Sequence, residues 1–475
     1  MSKRTKAAKT RKEKDSMGEM TVAADALYGA STQRAVENFP ISGKPVPAKV
    51  IHAFGHLKAA CAIVNQQLGK LPAAKAKAVI KAAEEVAAGQ LDQHFPVDVY
   101  QTGSGTSSNM NANEVIANRA SQQAGNPIGS RKPVHPNDHV NMGQSSNDTF
   151  PTAMHIAGAL VIKEDLIPAL KRLHKKLASQ AKRWDSIKKI GRTHLMDATP
   201  IRVGQVFGGY AKQAEYAVKR AEYALEGMRL NVPIGGTAVG TGINTHPQFG
   251  KKVCTELSKR TGIKFVEAEN HPEAQAAKDC FVQSHACLKT IAVSLSKIAN
   301  DIRWLGSGPR CGIFELILPE IQPGSSIMPG KVNPVICESV VQVSSRVIGN
   351  DAVVTNAGLG GVGSIFELNV AMPVMIDAFL ESVLLLANVS NVFVDKLLDG
   401  LKINKKQCEA LIDQSLMMVT SLAPEIGYDN AAKVAKQAFA EGKTIRQLVT
   451  ERGLVEPKRL SELLDPDAMT RPGKD

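Results

Sequence analysis

Aromatic side chains are scarce in this sequence, at 4% of 475 residues. Proteins that hold single-stranded nucleic acid stack bases on aromatic rings set among cations. No such basic stripe is present, so the formal net charge of +13 does not mark a nucleic-acid surface. The first twenty residues hold seven Lys/Arg and three Asp/Glu, which leaves 51 basic against 42 acidic residues in the remainder. That mild excess suits an anionic ligand. Cysteine is also thin: seven residues, with no C-x-x-C pair. An odd, scattered set reads as the reduced thiols of a cytoplasmic protein and implies no structural metal. No uninterrupted apolar run approaches the ~18 residues of a membrane span, so no membrane partner is expected. The opening MSKRTKAAKTRKEK lacks the apolar segment of a signal peptide, and acidic residues follow at once. It reads as a disordered, solvated tail over residues 1–12 rather than a targeting sequence.

Long amphipathic periods dominate what is there. Leu288, Ile291, Leu295, Ile298, Ile302 and Leu305 alternate spacings of three and four, and so do Leu166, Leu170, Leu173 and Leu177. Ile376, Phe379, Val383 and Leu386 follow suit, with Leu380, Leu384 and Leu385 covering the other faces. Helices apolar nearly all round lie inside a bundle. Tyr210, Ala214, Ala217, Ala221, Leu225 and Met228 predict a fourth helix, whose small residues allow close approach. Strand alternation is nearly absent, so the fold class is mainly α. The expected organisation is an N-terminal domain over 1–142, a long-helix bundle over 143–400 and a small C-terminal domain over 401–475.

Three motif matches fail on their physical requirements. In GSSIMPGKVNP (324–334) five residues separate the glycines and Val332 follows Lys331, so it is not a phosphate-binding loop. GLGGVG (358–363) fits a dinucleotide fingerprint, with Asp377 downstream, but no βαβ unit surrounds it and Pro373 interrupts the next segment. His135, Asp138 and His139 in HPNDHVN have ligand-like spacing. Pro136 and the asparagines make this stretch a turn, and no further ligand cluster accompanies it, so a polar or anion-binding loop is expected there.

Four polar stretches interrupt the helices: TGSGTSSNMNANE (102–114), GQSSNDT (143–149), GRTHLMDATP (191–200) and GSSIMPGKVNP. Each sets hydroxyl, amide or cationic side chains near glycine or proline. Taken singly, each serves as a cap or turn. Together they offer many short donors beside exposed backbone N–H groups, which is what a small carboxylate needs.

GSSIMPGKVNP is similar to the signature loop of the fumarase/aspartase superfamily. The resemblance runs from KDSMGEM near the start to ESVLLLA and IGYDNAAKVAK late in the chain. It is closest to class II fumarase in QTGSGT, NMNANEV, HPND, QSSNDTFPTAMHIA, IGRTHLMDATP, GGTAVGTGINTHP, GSGPRCGI and FELNV. It implies three mainly helical domains, a central five-helix bundle packing into a homotetrameric twenty-helix core, and active sites built from loops of three subunits. The implied reaction is the reversible anti addition of water to fumarate, giving (S)-malate through an aci-carboxylate, as in the tricarboxylic acid cycle. No cofactor or metal is implied.

Carried over position by position, Ser325 matches the general base that takes a proton from the carbon beside a carboxylate. Lys331 and Asn333 match the carboxylate-binding pair, with Val332 between them. His194 matches the histidine that activates water or protonates the departing hydroxide, and Glu338 its carboxylate partner. Ser104, Gly105, Thr106, Ser145, Ser146, Asn147, Thr193 and Ser326 match the remaining substrate-binding positions. His135, Pro136, Asn137 and Asp138 match a second dicarboxylate site. A carbon acid and a serine hydroxyl are both very weakly acidic, so backbone N–H groups near the glycines are expected to help hold the serine oxyanion. Asn333 and Pro334 predict the start of a helix as N-cap and first residue.

Aspartate ammonia-lyase shares the fold and the loop, and FPVDVYQ, GTSS and PNDHVN resemble it. Position 194 separates the two, because histidine there resembles fumarase, whereas such aspartases carry glutamine in TQLQDA. QSSND likewise resembles fumarase more than the aspartase-like STND. A non-catalytic structural protein on the same fold is the third reading, but Ser325, His194, Lys331, Asn333 and Glu338 are all present. The glycine-rich stretch 356–365 looks a few residues longer than the resemblance implies and reads as a loose surface loop.

Overall fold

The computed structural model describes residues 9–472. The chain begins with a hairpin of β1 (Thr10–Asp15) and β2 (Gly18–Ala23), Asp15 facing Gly18. The Arg11 guanidinium fixes it by donating to the carbonyls of Ala23, Ala26 and Tyr28 at 2.6–2.7 Å. Residues 10–12, inside the span expected as a tail, are therefore part of a strand, and residues 1–8 lie outside the described residues.

Helices follow: α1 (Ala30–Asn38), α2 (Ala48–Gln67), α3 (Ala73–Ala87), α4 (Thr106–Gln123), α5 (Ser146–Val161) and α6 (Ile167–Arg183). A second hairpin pairs β3 (Lys188–Thr193) with β4 (Met196–Arg202). The long helix α7 (Val203–Arg229) leads to α8 (Phe249–Thr261), α9 (His271–Ala276) and α10 (Asp279–Leu305). After β5 (Leu316–Ile317) comes α11 (Val335–Gly358), then a tight hairpin of β6 (Ser364–Ile365) and β7 (Leu368–Asn369). Next are α12 (Met372–Val392), prolonged by a π-helical turn Phe393–Leu398, and β8 (Lys402–Ile403), which pairs with β5. The chain closes with α13 (Lys405–Gln414), α14 (Ala423–Ile426), α15 (Tyr428–Glu441), α16 (Ile445–Glu451) and α17 (Pro457–Leu463). The mainly α expectation holds.

Packing groups the chain into two compact units. One holds the segments up to Pro168, Lys219–Ala292 and Ser345–Ala387; the other holds Ala169–Val218, Val293–Ser344 and Asn388 onward. At the centre of the first unit α2 packs against α3, α4, α5 and α8, and it is buried nearly all round. In the second unit a C-terminal core gathers Leu422, Ala438, Leu448, Val449 and their neighbours between Ile412 and Leu464.

Most residues of the periodic stripes read from the sequence are buried, with Leu225 and Leu305 half-buried. Leu288, Ile291, Leu295, Ile298 and Ile302 are buried, as are Ile376, Phe379, Leu380, Val383 and Leu386 of α12, while Leu384 and Leu385 are half-buried. Measured by mean hydropathy (1.6), Met372–Leu398 is in fact long and apolar enough to cross a membrane. That corrects the expectation drawn from uninterrupted runs. Two thirds of its apolar window (67%) is buried inside the protein, as in a core helix.

GLGGVG is preceded by helix, not strand. Hydrogen bonds from Gly361 N–H to Ser364, Gly363 N–H to Leu359 and Val370 N–H to Gly363 close it into a tight turn. The loose loop expected there is a compact hairpin.

Candidate active site

In the first unit the polar stretches become helix starts. Gly105 is the N-cap of α4 at φ +72°, and a Cβ there would lie 2.1 Å from the Phe150 ring. Only glycine satisfies both the backbone and the space. Ser104 and Thr106 share a 2.9 Å hydrogen bond, and Thr106 shares another of 2.9 Å with Ser146. Ser145 caps α5: its Oγ accepts the Asn147 N–H at 3.3 Å, while Asp148 accepts the Ser145 N–H at 2.9 Å. The Asn147 amide donates to the Ala238 carbonyl at 2.8 Å.

Thr106, Ser145 and Ser146 line a cavity of about 410 Å³. Both α4 and α5 begin at its wall, so free N–H groups and positive dipole ends favour a carboxylate there. Pro136–Val140 forms one π-helical turn capped by His135, whose Nδ1 accepts the N–H groups of Asn137 and Asp138 at 3.2 Å. Asn137 reaches the same cavity, while Asp138 is exposed. Among the described residues no group of three or more His, Cys, Asp or Glu side chains could hold a metal.

Sequence reasoning passed over Asp148. Its carboxylate is buried and also accepts the N–H groups of Gly235 (3.1 Å) and Thr237 (3.0 Å), tying α5 to that loop. Burial pushes its carboxyl up to about 6 against the pull of these donors. Asn113 and Thr237, also passed over, line the cavity with buried oxygens that have no partner among the described residues. Only the capping spacing S-x-x-D pointed towards Asp148.

In the second unit His194 and Leu195 form the two-residue turn of the β3–β4 hairpin, Thr193 facing Met196. Both take positive φ, 56° and 63°, in a turn that glycine or asparagine would adopt freely. The hairpin base is anchored by Glu315, buried and paired with Lys189 (3.0 Å) and Arg192 (2.9 Å). His194 is exposed at the tip, with no hydrogen bond among the described residues.

Loop 324–334 is closed on itself. The Gly324 N–H donates to the Lys331 carbonyl at 2.8 Å, and the Asn333 amide donates to the Gly324 carbonyl at 2.6 Å. A Cβ on Gly324 would meet that Lys331 oxygen at 2.4 Å, so the closure requires glycine. Ser325 Oγ accepts two backbone N–H groups, from Met328 (3.1 Å) and Ile327 (3.3 Å). Ser326, Lys331 and Val332 are exposed. Helix α11 starts at Val335, one residue after the expected position, because the Asn333 amide is turned into the loop instead of capping. Glu338 sits in its first turn, and no hydrogen bond joins it to His194 among the described residues.

The family described as lyase matches residues 18–349, and the one described as fumarase C C-terminus matches residues 418–471. The fumarate hydratase class II of Corynebacterium glutamicum is 56% identical over 452 residues, 95% of this chain and 93% of that protein. The chain belongs to the class II fumarase family. The mitochondrial fumarate hydratase of Saccharomyces cerevisiae is 51% identical over 464 residues, 97% of this chain and 94% of its own. The crystal structure of a recombinant class II fumarase from Schistosoma mansoni superposes with a TM-score of 0.94 at 37% identity, covering 97% of this chain and 99% of that one. The enzyme is a lyase, and the fumarase/aspartase fold expected from its loops is the fold it has.

Proposed function

We propose that this fumarase-family enzyme reversibly hydrates fumarate to (S)-malate, with Ser325 as the base and His194 as the acid. The observation that carries the reading is the pair of backbone N–H groups on Ser325 Oγ. Such donors favour an alkoxide, and removing one oxyanion donor elsewhere costs about 10²–10³ in rate. In the dehydration direction Ser325 takes the proton from the carbon beside one carboxylate. The C–H electron pair passes into that carboxylate as an aci-carboxylate. The C–O bond then breaks, and hydroxide leaves with a proton from His194 as water. Lys331 supplies charge and Asn333 shapes the loop, while Thr193, Ser326 and Val332 flank the reacting groups. The hydroxyls and helix starts around Ser104, Gly105, Thr106, Ser145, Ser146 and Asn147 receive a carboxylate. His135, Pro136, Asn137 and Asp138 form a second dicarboxylate position.

The assembly we propose is a homotetramer in which Glu338 meets His194 across subunits. Exposed apolar residues on the long helices support it: Tyr223 on α7, Val293 and Trp304 on α10, and Ile348 on α11. We place the N-terminal domain at 1–142, the bundle at 143–400 and the C-terminal domain at 401–475, the last supported by its own core. A cytoplasmic location suits seven free cysteines.

Absorbance of fumarate formed from malate or aspartate, with and without chelator, tests the reaction. Malate should be the faster substrate and EDTA without effect. Faster product from aspartate would make the enzyme an ammonia-lyase.

A further inference from the structure

Helix α2 is buried nearly all round, yet Lys58 sits at its centre with none of its side chain exposed. Its Nζ donates to three neutral side-chain oxygens: Asn109 Oδ1 at 2.7 Å, Gln144 Oε1 at 2.9 Å and Asn141 Oδ1 at 3.1 Å. Every donor is satisfied, and among the described residues no carboxylate touches the charge. The titratable groups acting on it are Cys61, one turn along α2, and Asp148 of α5. From α4 and the segment after the π turn it meets the amides just named, and the charged residues of α3 are not among the groups acting on it. Cys254 of α8 acts on Cys61, and burial keeps both thiols protonated. The three amides are also walls of the 410 Å³ cavity, beside Thr106, Ser145 and Ser146.

We propose that Lys58 sets the anion affinity of this cavity, as a buried positive charge behind its wall and as the pin that orders the segment leading into Ser145 and Ser146. A unit charge acts strongly through a thin, dry wall. With their oxygens turned to Lys58, the amides use their N–H groups to knit the segment. Asn141 donates to the Gln144 carbonyl (3.2 Å), and Gln144 donates to the carbonyls of Val140 (3.0 Å) and Met142 (3.1 Å). Lys58 is thus a positioning residue. Burial brings its ammonium down to about 8, so its charge is present below that pH and lost above it.

The inference rests on the dicarboxylate reading of the cavity. Its test is calorimetric binding of succinate, a dicarboxylate that cannot be hydrated, to the whole protein at about pH 7 and about pH 9.5, either side of the Lys58 transition. Wild-type affinity should fall roughly tenfold or more between the two, the size expected when one nearby charge is lost. Lys58→Gln keeps a donor without the charge, so it should bind roughly tenfold more weakly at the lower pH and lose the pH dependence. Equal affinity of Lys58→Gln and wild type at about pH 7, or a wild-type affinity that does not weaken, overturns the proposal. If Lys58→Gln fails to fold, the wild-type titration decides. Fumarate turnover read in parallel separates the two claims. Succinate binding that follows Lys58 without turnover removes only the reaction; turnover with unaltered succinate affinity in Lys58→Gln removes only the role of Lys58.

Discussion

As the proposed base, Ser325 would have to give up a proton that an ordinary alcohol keeps. The loop answers with geometry: Gly324 lets the backbone close on Lys331, Asn333 locks the closure, and two N–H groups then point at Oγ. Ser325→Ala should lower kcat by roughly three orders of magnitude or more, since it removes both base and oxyanion. Ser326 is exposed and has no such donors among the described residues, so Ser326→Ala should do less. Steady-state kinetics of the two variants check this, and a larger loss at Ser326 would move the base to that residue. At this scale the sequence was legible where glycine and hydroxyl residues cluster, because that combination has few structural uses. Lys58 was not legible, because a single lysine in an apolar helix gives no sign of whether its head reaches water.

The helices were read correctly because a stripe at spacings of three and four has one physical meaning. Leu288 to Ile302 on α10 show it, each buried. The β3–β4 hairpin escaped notice because its turn is His194–Leu195 rather than the glycine or asparagine that marks such turns. Holding two side-chain-bearing residues at positive φ costs on the order of 1–2 kcal/mol each, a strain that the Glu315 anchor must offset. The strain fixes the direction in which His194 leaves the hairpin. Leu195→Gly should therefore leave thermal stability nearly unchanged and KM similar, while kcat falls several-fold as the tip loosens. Measuring kcat and KM separately is the check. A kcat equal to wild type would mean that the turn does not position His194.

Across the whole molecule, the apolar stripes read from the sequence are largely spent inside the chain, and a different set of exposed residues, Trp304 and Ile348 among them, supports the assembly proposed above. The interior also sets the response to acid. Burial pushes His155, whose ring nitrogen contacts the Met228 carbonyl at 2.7 Å, down to about 4 from an ordinary 6.5. Between those values the unfolded chain binds more protons at this position than the folded one, so stability falls as pH falls. Asp148, raised to about 6, works the other way over the lower part of the range. Thermal midpoints of wild type and His155→Asn should therefore converge as pH drops from about 6.5 to about 4, and a constant gap would contradict a neutral His155.

The central claim is that Ser325 and His194 complete one site from different subunits. Ser325→Ala and His194→Asn, each nearly inactive alone, are to be unfolded together and refolded as a mixture. Random assembly gives roughly a quarter of sites an intact serine from one chain and an intact histidine from another. Fumarate hydration should return towards that fraction of wild type in mixed tetramers confirmed by mass. Mixed tetramers with only parental activity would contradict the account, because both residues would then serve a site from the same chain.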